Sequence, residues 1–242
     1  MTASKVAPAF ERIEQLRAHE YVAEQIRRQI GLRLIPTGAS LPSERELAAL
    51  FGVGRATVQQ AVRLLEAERL VESRRGRHGG TFVIAPSSDD LAMDYLLVRL
   101  RRDAARIKEA LVFRRHIETV AVELAATTRR KPELREVEAA CARAESVESD
   151  IEFMTHDTQF HLAVAQAGRN RFIVESVERL RLVLNDALTA LPESELWHER
   201  SRREHAAIRD AIKARDGEAA RVAMTQHVAS TERSIRALLA AL

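Results

Sequence analysis

The sequence predicts a mainly α-helical protein in two parts: a small helical domain closed by a β-hairpin, then an antiparallel all-α helical bundle. Three observations carry this. Glycine and proline number 9 and 6 in 242 residues and aromatics are 4%, too few turn-formers for an all-β architecture. Apolar residues at 46% and charged residues at 30% are enough for a buried core and argue against disorder. Finally, glycine and charge are unevenly placed. Seven of the nine glycines precede Pro86, and residues 1–86 carry 13 Lys/Arg against 9 Asp/Glu, whereas residues 87–242 carry 25 against 26. A basic domain over 1–85, a polar linker over 86–90 and a nearly neutral domain over 91–242 are expected.

Composition also narrows the function classes. A single cysteine, Cys141, rules out an internal disulfide framework or a cysteine-rich zinc knuckle. The start, MTASKVAPAFERIEQLR, has no apolar core of signal-peptide length, and no 18-residue uncharged run follows. A cytoplasmic protein with no membrane partner is the expectation.

In the first part, Tyr21, Val22, Ile26 and Ile30 follow helical spacing up to Gly31. Ser43 with Glu46 three residues on forms a capping box that opens a helix carrying Leu47, Leu50 and Phe51, which stops at Gly52. A third helix starts at Arg55 and faces Val58, Val62 and Leu65 inward. Leu70-Val71-Glu72 and Thr81–Ile84 read as short strands joined by Arg74–Gly80. Helix, helix, turn, helix, hairpin is the winged helix-turn-helix order. Such folds push the start of the third helix into the DNA major groove. There Arg55 is placed to pair with guanine, Gln59 with adenine or phosphate, and Thr57 with the backbone. Ser43 and Arg45 at the start of the preceding helix join the candidates. In the hairpin, Arg75, Arg77 and His78 reach a minor groove or phosphates, and Gly76, Gly79 and Gly80 let that backbone approach closely.

The second part reads as six or seven amphipathic helices with breaks near Asp103, Lys131-Pro132, Gly168, Pro192 and Asp216-Gly217. Ile117/Val120/Ala121/Leu124 and Phe160/Leu162/Val164 are examples of its apolar faces. Asp157 and His161, i and i+4, share one helix face. His205 and His227 fall on the last two helices, at similar height in an antiparallel hairpin. One carboxylate and three imidazoles suit a divalent ion such as Zn²⁺, Ni²⁺ or Mn²⁺. His156 points about 100° away around the helix, given roughly 3.6 residues per turn, and is expected to be outside the ligand set.

The run LPSERELAALFGVGRATVQQAVRLLEAERLVESRRGRHGGTFV resembles the GntR family of bacterial transcriptional regulators over almost all of residues 20–84. By that resemblance Arg45, Arg55 and the wing glycines match DNA-contacting positions. Gly54 stands where the family usually has Ser or Thr, and Gln59-Gln60 replaces the usual Arg-Glu. The turn Leu34-Ile35-Pro36-Thr37-Gly38 is also one residue longer than the usual Leu-x-Pro-Gly. The strings FRRHIETVAVELAA, DTQFHLAVAQAGRN and REHAAIRDAIKARDGEAARVAMTQHV resemble the FCD ligand-binding domain of the family's FadR branch. That resemblance implies Asp157, His161, His205 and His227 as a metal set, and Arg114 as an inward arginine that holds a small carboxylate effector. Alternatively Arg114 is an intrahelical partner of Glu118. Asn185 either lines the same cavity or faces solvent. Cys141 is expected to be a small buried residue, without the second cysteine that a redox switch needs.

The expected function is ligand-responsive transcriptional regulation by a homodimer on a two-fold symmetric operator in double-stranded DNA. Three alternatives stand beside it: a metal-dependent hydrolase-like enzyme, a sensor of the ion itself, and a regulator whose ion is only structural. No general base is evident near the four ligands in sequence, and the attached domain reads as DNA-binding. Both weigh against the enzyme.

Overall fold

The computed structural model describes residues 17–76, 79–84, 90–145, 150–191 and 194–242. The N-terminal domain holds α1 (Ala18–Gly31), α2 (Glu44–Phe51), α3 (Arg55–Ala67), β1 (Val71–Arg74) and β2 (Gly80–Val83). The capping box forms as expected: the Ser43 hydroxyl accepts from Glu46 N while the Glu46 carboxylate accepts from Ser43 N. Gly52 ends α2 with φ +64°, a left-handed conformation that a Cβ would disfavour. Gly54 caps α3 without a side-chain hydrogen bond, so the family's usual Ser or Thr cap is missing here. β1 and β2 pair antiparallel, Val71 opposite Val83 and Arg74 opposite Gly80. Residues 38–41 lie along the outer edge of β2, where Gly38 N donates to Val83 O and Leu41 N to Thr81 O.

The core of this domain is Val22, Ile26, Leu47, Val58, Val62 and Leu65 with their neighbours. Two of the apolar residues on these helices face outward. Tyr21 is 54% and Leu50 73% exposed, because the helix turns of α1 and α2 give the inward row to Val22/Ala23/Ile26 and Leu47/Ala48.

The C-terminal domain comprises α4 (Asp90–Thr128), α5 (Lys131–Glu145), α6 (Asp150–Ala167), α7 (Arg171–Thr189), α8 (Glu195–Ala214) and α9 (Gly217–Ala241). The break expected at Asp103 does not exist. α4 runs unbroken for 39 residues, about 58 Å at 1.5 Å per residue. Leu100, Ile107 and Leu111 continue one buried row past Asp103, and the Asp103 carboxylate sits on the outer side against Arg102. An outward Asp costs a helix only a few tenths of a kcal/mol, far less than that row contributes.

The other breaks have local causes. Pro132 lies in the first turn of α5, where a missing N–H costs nothing. Asp216 caps α9 by accepting from Ala219 N. At Gly168 the reason is space: an added Cβ would come within 3.2 Å of Ala121 O on α4. The break at Pro192 and the expected linker residues 86–89 lie outside the described residues. α4 is the central beam, packed on α6, α7, α8 and α9. Val120, read as inward, is exposed on its outer side, while Ala121, Val122 and Ala125 take the core. Cys141 is buried there as expected, with Arg209 Nη1 3.7 Å from its sulfur. No helix among the described residues is long and apolar enough to cross a membrane.

Candidate functional site

Two regions carry the expected chemistry. In the first, α2 and α3 meet at the short turn Gly52-Val53-Gly54, which leaves Arg45 and Arg55 exposed on the outer face. Thr57 is half-buried one turn in. Gln59 is exposed, but its Nε2 donates to Glu44 Oε2 at 2.8 Å, tying α3 to α2. The Ser43 hydroxyl is engaged in its own cap and also donates to Glu46 Oε2. Of the hairpin candidates, Arg75, Gly76 and Gly79 are exposed at the tip, and Arg77 and His78 lie outside the described residues. The glycines serve the turn itself. Gly76 has φ +112°, and a Cβ on Gly79 would sit 2.5 Å from Arg74 O. Close backbone approach to DNA is therefore not needed to account for them. Arg74, which sequence reasoning passed over, covers Phe82 and pairs with Glu72.

The second region is buried. Asp157 and His161 on α6, His205 on α8 and His227 on α9 come together, with one ligand atom from each lying within 4.8 Å of all the others. His161 Nε2 is 3.2 Å from His227 Nε2, and Asp157 Oδ1 is 3.4 Å from His205 Nε2 and 3.7 Å from His161 Nε2. Donors bound at about 2.1 Å to one ion stand roughly 3.0–3.4 Å apart as neighbours and about 4.2 Å apart when opposite. The 3.2 and 3.4 Å separations are those of neighbouring donors, and the 3.7 Å one between Asp157 Oδ1 and His161 Nε2 is slightly longer. The other nitrogens are held from outside: Glu204 Oε2 lies 2.8 Å from His227 Nδ1, and Glu118 Oε2 lies 2.5 Å from His161 Nδ1, off the ring's N–H direction. Carboxylates behind ligating imidazoles commonly fix which nitrogen faces the ion. His205 stacks on Phe160 with ring centroids 4.0 Å apart, and neither of its nitrogens has an aligned hydrogen-bond partner among the described residues. A buried imidazole left that way is costly unless something occupies its lone pair.

Electrostatics agree. Burial, opposed by Glu118, lowers His161 to about 4, and burial lowers His205 and His227 as well. All three are neutral near pH 7, with lone pairs available. Burial alone would raise Asp157, but Arg181 and the His205 contact outweigh it and hold the carboxyl well below its usual range. Glu118 is likewise held low against burial by Arg114 and His161.

Arg114 is the intrahelical partner of Glu118 and points inward. It is buried, its Nε donates to Glu118 Oε1 at 3.0 Å, and its Nη2 lies 3.4 Å from His161 Nε2. Arg115 faces outward toward Glu232. His156 is half-buried beside Gln159, outside the ligand set. Asn185 does not face solvent: it is buried, and its Nδ2 donates to Gly31 O of α1 at 2.9 Å. Sequence reasoning missed Arg181, Glu118 and Glu204 as partners of the ligands. Arg181 is fully buried and donates to Asp157 Oδ2 at 2.5 Å. An i+4 offset links it to Asn185, and Glu204 precedes His205, but neither spacing separates them from ordinary helix charges.

Comparison with known proteins finds a family match over each domain. Residues 18–83 match the bacterial regulatory proteins of the gntR family, and residues 109–230 match the FCD domain. The HTH-type transcriptional repressor NanR of Cronobacter sakazakii is 30% identical over 229 residues, covering 90% of this chain and 85% of that protein. The Uxu operon regulator of Haemophilus influenzae is 27% identical over 220 residues, covering 88% and 79%. A transcriptional regulator structure from Rhodococcus sp. RHA1 superposes with a TM-score of 0.53 at 24% identity, covering 90% of this chain and 97% of that one.

Proposed function

The chain belongs to the GntR family of bacterial regulatory proteins, with an FCD domain behind its DNA-binding domain, and on that premise we propose how it works. It acts in the cytoplasm as a homodimer on a two-fold symmetric operator, and a small organic acid bound beside a divalent ion changes its grip on that operator. The family and the named relatives are transcriptional regulators, not enzymes. Arg55 and Gln59 enter the major groove, and Thr57 and Arg45 meet the backbone. Arg75, with Arg77 and His78 on the same hairpin, lies along the neighbouring phosphates or minor groove. The Gln59-Gln60 pair makes the operator differ from one read by Arg-Glu.

The convergence of four buried ligand atoms carries the ion half of this reading. Asp157, His161, His205 and His227 would hold Zn²⁺, Ni²⁺ or Mn²⁺, which when bound supplies a Lewis-acidic anchor for a carboxylate oxygen. Charge balance supports an acid as the effector. Buried Glu118 and Asp157 cancel buried Arg114 and Arg181, so a divalent ion leaves an excess of positive charge in a buried site even with the partly exposed Glu204 beside His227. An anion removes that excess. Arg114 Nη1, which has no hydrogen-bond partner among the described residues, is a donor available to it.

The test is selection of tight-binding duplexes from a random library, then titration of the best one with wild type and Arg55→Ala, with zinc or chelator, and with a panel of small carboxylates. Loss of binding in Arg55→Ala, and an acid that shifts affinity only in ion-loaded protein, are expected. Unchanged binding by Arg55→Ala, or affinity that no acid alters, overturns the reading.

A further inference from the structure

Asn185 is a buried polar residue whose partners lie in both domains. Its Nδ2 donates to the carbonyl of Gly31, the last residue of α1. The last carbonyls of a helix have no partner within the helix, so the C-terminal domain completes the end of a helix in the DNA-binding domain. Two further contacts flank this one along the same side of α7. Arg28 pairs with Glu178, and Arg33, held at φ +57°, donates to the Thr189 hydroxyl. Gly31 itself permits the approach, since an added Cβ would stand 2.8 Å from Leu182 Cδ2. Glu178, Leu182, Asn185 and Thr189 recur at helical spacing and make one docking row.

The same turn of α7 reaches the four-ligand cluster. Arg181 lies one turn before Asn185 and donates to Asp157 Oδ2 at 2.5 Å and to Thr158 Oγ1 at 2.8 Å. The Thr158 hydroxyl lies 3.3 Å from Asn185 Oδ1 and shares its single proton between that oxygen and Met154 O. Asp157 thus presents Oδ1 to the imidazoles and Oδ2 to Arg181. A continuous run of buried polar contacts passes from the ligand cluster through Arg181, Thr158 and Asn185 to the end of α1.

We propose that Asn185 is a positioning residue that couples occupancy of the Asp157/His161/His205/His227 cluster to the seating of the DNA-binding domain on α7. The proposal rests on the ion reading above. Moving Asp157 Oδ1 to a ligand distance moves Arg181, which resets Thr158 and with it the Asn185 amide under Gly31. Coupling of this kind needs two arrangements that the ion distinguishes, and the one Asn185–Gly31 hydrogen bond is what such arrangements would make or break.

Hydrogen exchange read by mass spectrometry on the full chain tests this, with zinc and with chelator, alongside native mass spectrometry for ion content. In wild type, the amides of residues 32–34, which close the end of α1, exchange faster without zinc. In Asn185→Ala they exchange about five- to tenfold faster than in wild type, the effect of one net hydrogen bond, and zinc no longer alters them. Its ion content stays at the wild-type value. Gly31→Val, which forces Leu182 aside from the opposite face, has the same signature.

Wild-type exchange in Asn185→Ala, or a zinc response that survives in it, overturns the proposal. A wild-type chain that takes up zinc yet shows no change at 32–34 overturns the coupling and leaves the ion reading intact. A wild-type chain that takes up none overturns both, while the Asn185→Ala comparison still decides whether the contact holds α1.

Discussion

The two domains use charged side chains in opposite ways. On the N-terminal domain Arg45, Arg55 and Arg75 stand exposed, free to meet a partner outside the chain. In the C-terminal domain Arg114, Arg181, Glu118 and Asp157 are buried and answered within the chain. An exposed charge costs the fold almost nothing and is spared for an external contact. A buried one must be paired, and the pairing itself shapes the site. Function in the first domain therefore depends on what the surface leaves free, and in the second on what the interior has to satisfy.

The sharpest way to break this contrast is to remove one interior partner. Arg181→Met leaves Asp157 buried with its strongest counter-charge gone, and should destabilise the ion-free protein by about 3–5 kcal/mol. Urea unfolding measures it. Loss under about 1 kcal/mol, the worth of a surface pair, would erase the distinction between the domains.

Acid supplies the next test. His161 falls from 6.5 to about 4 on folding, and His205 and His227 fall with it. Between pH 6.5 and 4 the unfolded chain binds protons that the native chain excludes. Stability of the ion-free protein therefore declines as pH drops through that window and is flat with respect to these groups above it. Flat stability from pH 7 to 4.5 in chelator would contradict burial of neutral imidazoles.

Smaller effects sharpen the comparison. Glu204→Gln keeps the shape beside His227 Nδ1 but removes the charge, and should weaken zinc binding by about 10–100-fold, read by competition with a chromophoric chelator. On the surface of the other domain, Ser43→Ala removes only a cap and should cost about 1 kcal/mol, with zinc content unchanged.

Local chemistry was legible in the sequence; across helices only the four-residue cluster was, and that through helix spacing and the family resemblance. The Ser43–Glu46 box, the left-handed Gly52 and the Asp157/His161 pair each depend on residues within four positions, and each forms as expected. The Asp103 break failed because one unfavourable residue was weighed without the buried row that continues past it. Tyr21, Leu50 and Val120 keep helical spacing yet face outward, because apolar spacing does not say which neighbouring row meets the core. Arg181, Glu118 and Glu204 gave no signal because what distinguishes them is burial against residues 23 or more positions away or on another helix. For Asn185 the solvent-facing alternative fails, and its partner, a backbone carbonyl of the other domain, carries no local signal.

The second domain turns on whether four side chains from α6, α8 and α9 form one ion site. Native mass spectrometry of the full chain equilibrated with zinc tests it most directly. His205→Ala is the variant of choice, because neither of its nitrogens makes an aligned hydrogen bond within the described residues. One ion per subunit is expected in wild type and none in His205→Ala, with helical circular dichroism unchanged. An equal ion count in the two proteins would contradict it.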